Sequence, residues 1–224
     1  MADKAPLLML VTSASQMGQG QQTGLWLEEF AVPYLAFREA GIELVIASPR
    51  GGKIPVDPHS VPDDEQKEQW QDAIAALQDT VPLEQVWEQH FAGVFVPGGH
   101  GAMFDMPDNP LVAGVLERTW AAGGLVSAVC HGPAALVSAR KEDGTPLLQN
   151  LAFTCFTNAE EQDVGLDSVM PFLLQSRLEE LGGQARMAEP FAVQVVRDGQ
   201  LITGQNPPSS AATAEAVIAA LQGD

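Results

Sequence analysis

The sharpest chemical signal in the chain is a cysteine between an apolar run and a glycine-proline turn, in Leu125-Val126-Ser127-Ala128-Val129-Cys130-His131-Gly132-Pro133-Ala134. A strand running into Cys130, with Pro133 favoured at the start of a following helix, is the strand–turn–helix setting of a nucleophile elbow. A small residue two before the nucleophile and a glycine two after it permit the tight turn; Ala128 and Gly132 occupy those places. Such a turn lifts the thiol out at the carboxyl edge of the sheet, where open α/β sheets bind ligands. A helix N-terminus at the same point favours thiolate over thiol. The plainer alternative is a packed cysteine that simply ends a strand. Cys155, inside a strand-like run with no turn after it, reads as a core thiol.

Three further groups could serve that thiol. Val96-Pro97-Gly98-Gly99-His100-Gly101 is a glycine-rich turn after another strand-like run. If the two strand ends are neighbours, the N–H groups of Gly98 and Gly99 can point at an oxyanion on a substrate attached to Cys130. Glu28 and Glu29 lie in the apolar run Thr23-Gly24-Leu25-Trp26-Leu27-Glu28-Glu29-Phe30. A carboxyl buried there has a raised pKa suited to proton transfer, although acids at helix starts also occur for dipole reasons alone. Asn158-Ala159-Glu160-Glu161 can orient His131 or merely begin a solvated helix. His59, His90, His100 and His131 form no recognisable metal motif with cysteine or carboxylate, so no metal is expected.

The elements that must position these groups alternate along the chain. Leu7–Val11, Leu44–Ala47, Val94–Val96 and Leu125–Val129 read as buried strands, and Glu28–Ala40, Asp64–Leu77, Leu111–Ala122 and Pro133–Ala139 as helices. This alternation implies a mostly parallel sheet covered on both faces. A strand at Leu151–Phe156, a helix at Pro171–Leu181, a hairpin of Phe191–Arg197 with Leu201–Thr203 and a helix at Ser210–Leu221 complete the pattern. Ser48–Asp63, rich in proline and glycine, is irregular and a natural lid or binding loop.

Eleven basic against 29 acidic residues give a formal net charge of −18, which repels phosphate backbones and anionic lipid surfaces and leaves small neutral substrates unpenalised. No apolar run approaches the roughly 20 residues of a membrane helix, and no export signal is evident at the start. Two cysteines without an export signal are expected as reduced thiols in the cytoplasm. With 46% apolar residues and no internal repeat or linker, one domain over residues 1–224 is the simplest organisation.

Taken together, the Thr-Gly-x-x-x-x-Glu opening, Pro-Gly-Gly-His-Gly and Ala-Val-Cys-His-Gly-Pro resemble the ThiJ/PfpI superfamily. Asp57-Pro58-x-Ser60, Phe156-Thr157-Asn158 and Thr203-Gly204-Gln205-Asn206-Pro207 narrow the likeness to the branch of heat-shock-thirty-one-type chaperones and glutathione-independent glyoxalases. The resemblance implies a flavodoxin-like three-layer sandwich with a small lid or insert around 48–90, commonly in a homodimer. It implies Cys130 as nucleophile, Glu29 rather than Glu28 as the acid touching the thiol, His131 as the adjacent histidine and Glu161 as its carboxylate partner. Gly98, Gly99 and His100 are then the substrate or oxyanion group.

The implied activity is a cofactor-free glyoxalase that converts methylglyoxal or a similar 2-oxoaldehyde into a 2-hydroxy acid. Removal of early glycation adducts from proteins is implied as related chemistry. A stress-linked holdase chaperone is the rival reading, and a cysteine peptidase is a weaker one. Glutamine amide hydrolysis on this fold places a histidine on a late strand; no histidine follows His131 here.

Overall fold

In the computed structural model, which describes residues 5–223, the short apolar runs are strands and the longer patterns are helices. In chain order the elements are β1 (Leu7–Leu10), α1 (Leu27–Glu39), β2 (Leu44–Ser48), α2 (Asp64–Gln69), α3 (Gln71–Ala76), β3 (Val81–Pro82), β4 (Gly93–Val96), α4 (Ala102–Asp105), α5 (Pro110–Ala121), β5 (Leu125–Val129), β6 (Ala152–Phe153), α6 (Asn158–Asp163), α7 (Leu174–Glu180), β7 (Gln184–Ala185), β8 (Val195–Asp198), β9 (Leu201–Gly204) and α8 (Ser210–Gln222). Seven strands form one sheet in the order β3-β2-β1-β4-β5-β9-β8, while β6 and β7 pair separately. The large sheet is parallel except for β8, which runs antiparallel to β9.

Strand β1 explains the layering. Successive side chains point to opposite faces, and both faces of β1 are apolar. Leu8 and Leu10 join one core with Val112, Val115 and Leu116 of α5. Leu7, Met9 and Val11 join the other with Phe30 and Phe37 of α1 and Val217 of α8. The result is the three-layer, flavodoxin-like sandwich with helices on both faces. The chain winds from β1 outward to β2 and β3, then returns to place β4 on the other side of β1. Strand order reverses there, and the carboxyl ends of the flanking strands open a crevice. Val96 of β4 lies in register with Ala128 of β5, so the glycine-rich turn and the Cys130 turn emerge side by side.

Several segments differ from the sequence expectation. The Asp64–Leu77 helix is broken at Trp70, whose φ of −101° and ψ of 12° separate α2 from α3. The expected Pro133–Ala139 helix is a five-residue 3₁₀ turn, Gly132–Leu136. The strand expected over Leu151–Phe156 is confined to β6, because the chain beyond it bonds elsewhere: Thr154 N–H donates to Thr203 Oγ1 and Phe156 N–H to Cys130 O. None of Ser48–Asp63 lines the cavity at Cys130. That loop is stitched to the segment ahead of α1 through Leu25 N–H on Pro55 O, Asp57 N–H on Leu25 O, Thr23 Oγ1 on Asp57 Oδ2 and Leu27 N–H on Ser60 Oγ. The loop thus braces the start of the helix that carries Glu29.

The elbow depends on Gly132, where a Cβ would collide with Val96 O on the neighbouring strand. Gly132→Ala must push β4 and β5 apart and is expected to lower unfolding stability by about 1–3 kcal/mol, the scale of core overpacking. Chemical denaturation checks this; an unchanged midpoint would show that the two strand ends are not so tightly joined.

Candidate active site

Cys130 follows β5 with φ at 60°, a left-handed conformation that is costly for a residue with a Cβ. Hydrogen bonds on both sides hold it: Cys130 N–H donates to Gly204 O at 3.0 Å, and Cys130 O accepts from Phe156 N–H at 2.9 Å. The thiol lies at the base of a cavity of about 330 Å³.

On one side the sulfur meets His131, whose Nδ1 is 3.3 Å from Sγ. His131 Nε2 is 2.6 Å from Glu161 Oε2. Burial raises the Glu161 pKa, but the hydrogen bonds from His100 and His131 outweigh it and hold the carboxyl at about 2. An ionised carboxylate only accepts, so His131 donates from Nε2 and keeps a bare lone pair on Nδ1, facing the thiol. Burial, with the neighbouring His100, lowers the His131 pKa to about 4, which leaves the imidazole neutral at neutral pH.

Glu29 stands on the other side, fully buried in the first turn of α1. Its Oε2 accepts from Gly98 N–H at 2.8 Å. Its Oε1 makes no hydrogen bond of regular geometry among the described residues, and the Cys130 thiol is the other polar group against this carboxyl. Burial raises the Glu29 pKa to about 8, against smaller lowering effects of the thiol and of Gly98 N–H. Burial also pushes the Cys130 thiol up, and the Glu29 and Glu161 charges push it further. The pair therefore avoids carrying two negative charges and titrates as a unit. The sequence expectation of a thiolate favoured by a helix dipole does not hold: a single 3₁₀ turn follows the elbow, and two carboxyls lie nearby.

The structure brings Cys130, His131, Glu161 and Glu29 together and distinguishes the two acids of each adjacent pair. Glu28 lines the cavity half-buried, and burial raises its pKa, but Glu29 is the one at the thiol. Glu160 turns away from the histidines, accepting Thr157 N–H in a capping box with Thr157. That Thr-x-x-Glu spacing is a sequence signal that could have assigned Glu160 to the helix end and left Glu161 for the site.

The expected oxyanion group is rearranged. Gly98 N–H is committed to Glu29, and a Cβ at Gly98 would lie 2.6 Å from Glu29 Oε2 and 2.7 Å from His131 N. Gly99 N–H faces the sulfur of Cys130. His100 lines the cavity; its Nε2 lies 2.7 Å from Glu161 Oε1, and its ring centroid is 4.1 Å from that of His131. His100, His131 and Glu161 thus offer three ligand-type atoms within 4.8 Å of one another, a grouping invisible in sequence spacing. Each Glu161 oxygen is already paired with an imidazole nitrogen, so a cation there would have to displace both hydrogen bonds. Phe156 packs on the His131 ring, 4.6 Å between centroids, a contact that the Phe156-Thr157-Asn158 motif alone did not reveal.

A family description, DJ-1/PfpI, matches residues 23–220. The chain belongs to the DJ-1/PfpI family. Within it, the chain is 31% identical to glutathione-independent glyoxalase HSP31 of Saccharomyces cerevisiae over 99% of this chain and 100% of that one. It is 30% identical to glutathione-independent glyoxalase hsp3101 of Schizosaccharomyces pombe over 94% of each chain. The crystal structure of glyoxalase III from Candida albicans superposes with a TM-score of 0.88 at 30% identity, covering 96% of this chain and 97% of that one. No helix among the described residues is long and apolar enough to cross a membrane.

Two measurements follow from this DJ-1/PfpI site. Cys130 opens onto the cavity, whereas Cys155 is wholly enclosed and its thiol donates to Phe156 O. Limited alkylation followed by mass spectrometry should label Cys130 first, and earlier labelling of Cys155 would contradict the placement. Glu29 is protonated in the folded protein up to about pH 8 but ionises near 4.5 when unfolded. The folded state then binds more protons across that window, so this group's effect on stability worsens as pH rises from 4.5 to 8. Glu29→Gln should raise stability by on the order of a few kcal/mol at pH 8 and by little near pH 4.5. A pH-independent difference in unfolding free energy would mean that Glu29 is not the buried, proton-holding acid.

Proposed function

We propose that this chain is a glutathione-independent glyoxalase, converting a 2-oxoaldehyde such as methylglyoxal and water into the 2-hydroxy acid, with Cys130 as nucleophile. The observation that carries this reading is the thiol held between the bare Nδ1 of a neutral imidazole and a carboxyl that keeps its proton at neutral pH. One side can take a proton and the other can give one, which an internal redox rearrangement requires.

In the first step the Cys130 sulfur bonds to the aldehyde carbon. Its proton passes to His131 Nδ1 and Glu29 gives its own to the carbonyl oxygen, which yields a hemithioacetal and leaves Glu29 a carboxylate. The imidazolium formed in passing is stabilised by Glu161, which touches Nε2. Gly99 N–H, against the sulfur, is the member of the glycine pair left to support the oxyanion. Glu29, now a carboxylate, takes the proton of the former aldehyde carbon and returns it to the adjacent carbonyl carbon, while the hydroxyl proton passes by way of His131 to the adjacent carbonyl oxygen. The first carbon is thereby oxidised to a thioester and the second reduced to an alcohol. Water cleaves the resulting thioester, releasing the 2-hydroxy acid and restoring the thiol. No external oxidant, reductant or glutathione enters the balance.

The named relatives support the same assignment, since two are glutathione-independent glyoxalases and the structural neighbour is a glyoxalase III. The late segment after β9, where amide hydrolysis on this fold would need a histidine, instead carries Gln205 and Asn206, both bonded to Glu160. The reading places the protein in the cytoplasm, where a reducing thiol pool keeps Cys130 available.

The test is lactate production from methylglyoxal without glutathione. Wild type should produce it and Cys130→Ala should not; equal production by both would sink the reading. His131→Ala, folded, should lose at least ~10²-fold in turnover, the scale for one general acid or base. Near-normal turnover there would leave only the backbone at this position with a role.

A further inference from the structure

The cavity over Cys130 is larger and more apolar than methylglyoxal requires. At about 330 Å³ it falls at the low end of the roughly 300–1,000 Å³ range of pockets that enclose drug-sized ligands, whereas methylglyoxal is a handful of heavy atoms. Its walls include Trp26, Phe156, Val164, Phe191, Pro207 and Pro208. Phe191 stands out among them. Its backbone has φ at 59°, a genuine outlier for a bulky residue, yet the residue is 43% exposed. Stability alone gives no reason to hold an aromatic ring in a strained backbone at the surface. Its ring meets Phe156 edge-on at 6.1 Å, and Phe156 in turn packs on His131.

A buried latch maintains this conformation. Glu160, fully enclosed, accepts Phe191 N–H at 2.8 Å, Asn206 Nδ2 at 2.8 Å and Gln205 Nε2 at 3.2 Å, all on Oε1. Asn206 Nδ2 also donates to Ala192 O, and Gln205 Oε1 accepts Ala188 N–H. The Thr203-Gly204-Gln205-Asn206-Pro207 motif, which the proposed chemistry leaves without a task, thus joins Glu160 in fixing residues 188–192 at the cavity mouth.

We propose that the site selects 2-oxoaldehydes bearing an aromatic or bulky apolar substituent over methylglyoxal, with Phe191 the specificity-determining residue and Glu160 the positioning residue that holds it. The proposal rests on the glyoxalase reading for its reaction and on the cavity for its selectivity. The substituent lies against the Phe191 and Phe156 rings while the aldehyde carbon reaches the sulfur.

The experiment compares kcat/KM for phenylglyoxal and methylglyoxal in wild type and Phe191→Ala. Taking the ratio between variants cancels the intrinsic reactivity of the two aldehydes. The aryl-to-methyl ratio should fall about tenfold in Phe191→Ala, mainly through KM for the aryl substrate, the scale of losing one apolar contact in a pocket. Glu160→Gln should move it in the same direction, again through KM. A parallel arm needs no turnover: rates of Cys130 alkylation by 2-bromoacetophenone and by bromoacetone in the same proteins. If no aldehyde is turned over but the alkylation ratio still falls, the glyoxalase reading fails and the pocket assignment stands. If folded Phe191→Ala leaves both ratios where they were, the pocket assignment is overturned, whatever the turnover.

Discussion

A carboxyl and a thiol buried against each other, Glu29 and Cys130, set the terms for the rest of the site. Neither charge is welcome there, since burial raises both pKa values and each anion opposes the other. The surrounding backbone supplies the compensation that is present. Gly98 N–H serves Glu29 and Gly99 N–H serves the sulfur, so the turn after β4 must press against both α1 and the elbow. Trp26 N–H on Gly98 O closes the same junction. The register of β4 on β5 and the bracing of the Leu25 segment by the 55–60 loop follow from that requirement. Holding a buried acid at this place costs stability at neutral pH and keeps a proton beside Cys130.

What the sequence made legible was local. Strand-length apolar runs, the elbow at Cys130 and the glycine turn at 98–99 each carry their geometry in a few adjacent residues. The parallel direction of the strands agreed with the alternation of elements, and the meeting of Cys130, Glu29 and Glu161 with what the family resemblance implied. Less legible were features decided by partners distant in sequence. Thr154 leaves the β6 direction because Thr203 Oγ1 captures its N–H. Gly98 N–H is withdrawn from any oxyanion because Glu29 reaches it from 69 residues away. His100 belongs with Glu161 rather than with the glycines because α6 brings a second carboxylate oxygen to it. None of these carries a short-range signature, and the walls of the cavity, from Trp26 to Pro208, are scattered over the length of the chain.

Among the described residues, four that are not glycine have positive φ: Asp108, Cys130, Asn150 and Phe191. Asp and Asn tolerate that region through their short polar side chains. The other two do not, and both line the same cavity. Strain of this kind persists only where neighbouring structure over-determines it. Gly204 O and Phe156 N–H do so for Cys130, and Glu160 does so for Phe191. β9 and the residues just after it take part in both, through Gly204 at the elbow and through Gln205 and Asn206 at the latch.

The two acidic pairs show how one local pattern yields four environments. Glu28-Glu29 and Glu160-Glu161 each lie in the first turn of a helix, α1 and α6, where the dipole favours a carboxylate. Successive residues on a helix are rotated by about 100°, so the members of each pair face different sides. Glu28 faces the cavity mouth while Glu29 faces the thiol. Glu160 faces backbone and amide donors while Glu161 faces two imidazoles. Glu29 and Glu161 are both glutamates buried in the first turn of a helix, yet one is held protonated to about pH 8 and the other ionised down to about pH 2. The dipole is common to both and so does not decide between them. The deciding difference is the compensation for burial: at Glu29 burial outweighs the thiol and one backbone N–H, whereas at Glu161 two imidazole N–H donors outweigh burial. That separation leaves a proton source and a proton acceptor on opposite sides of one sulfur.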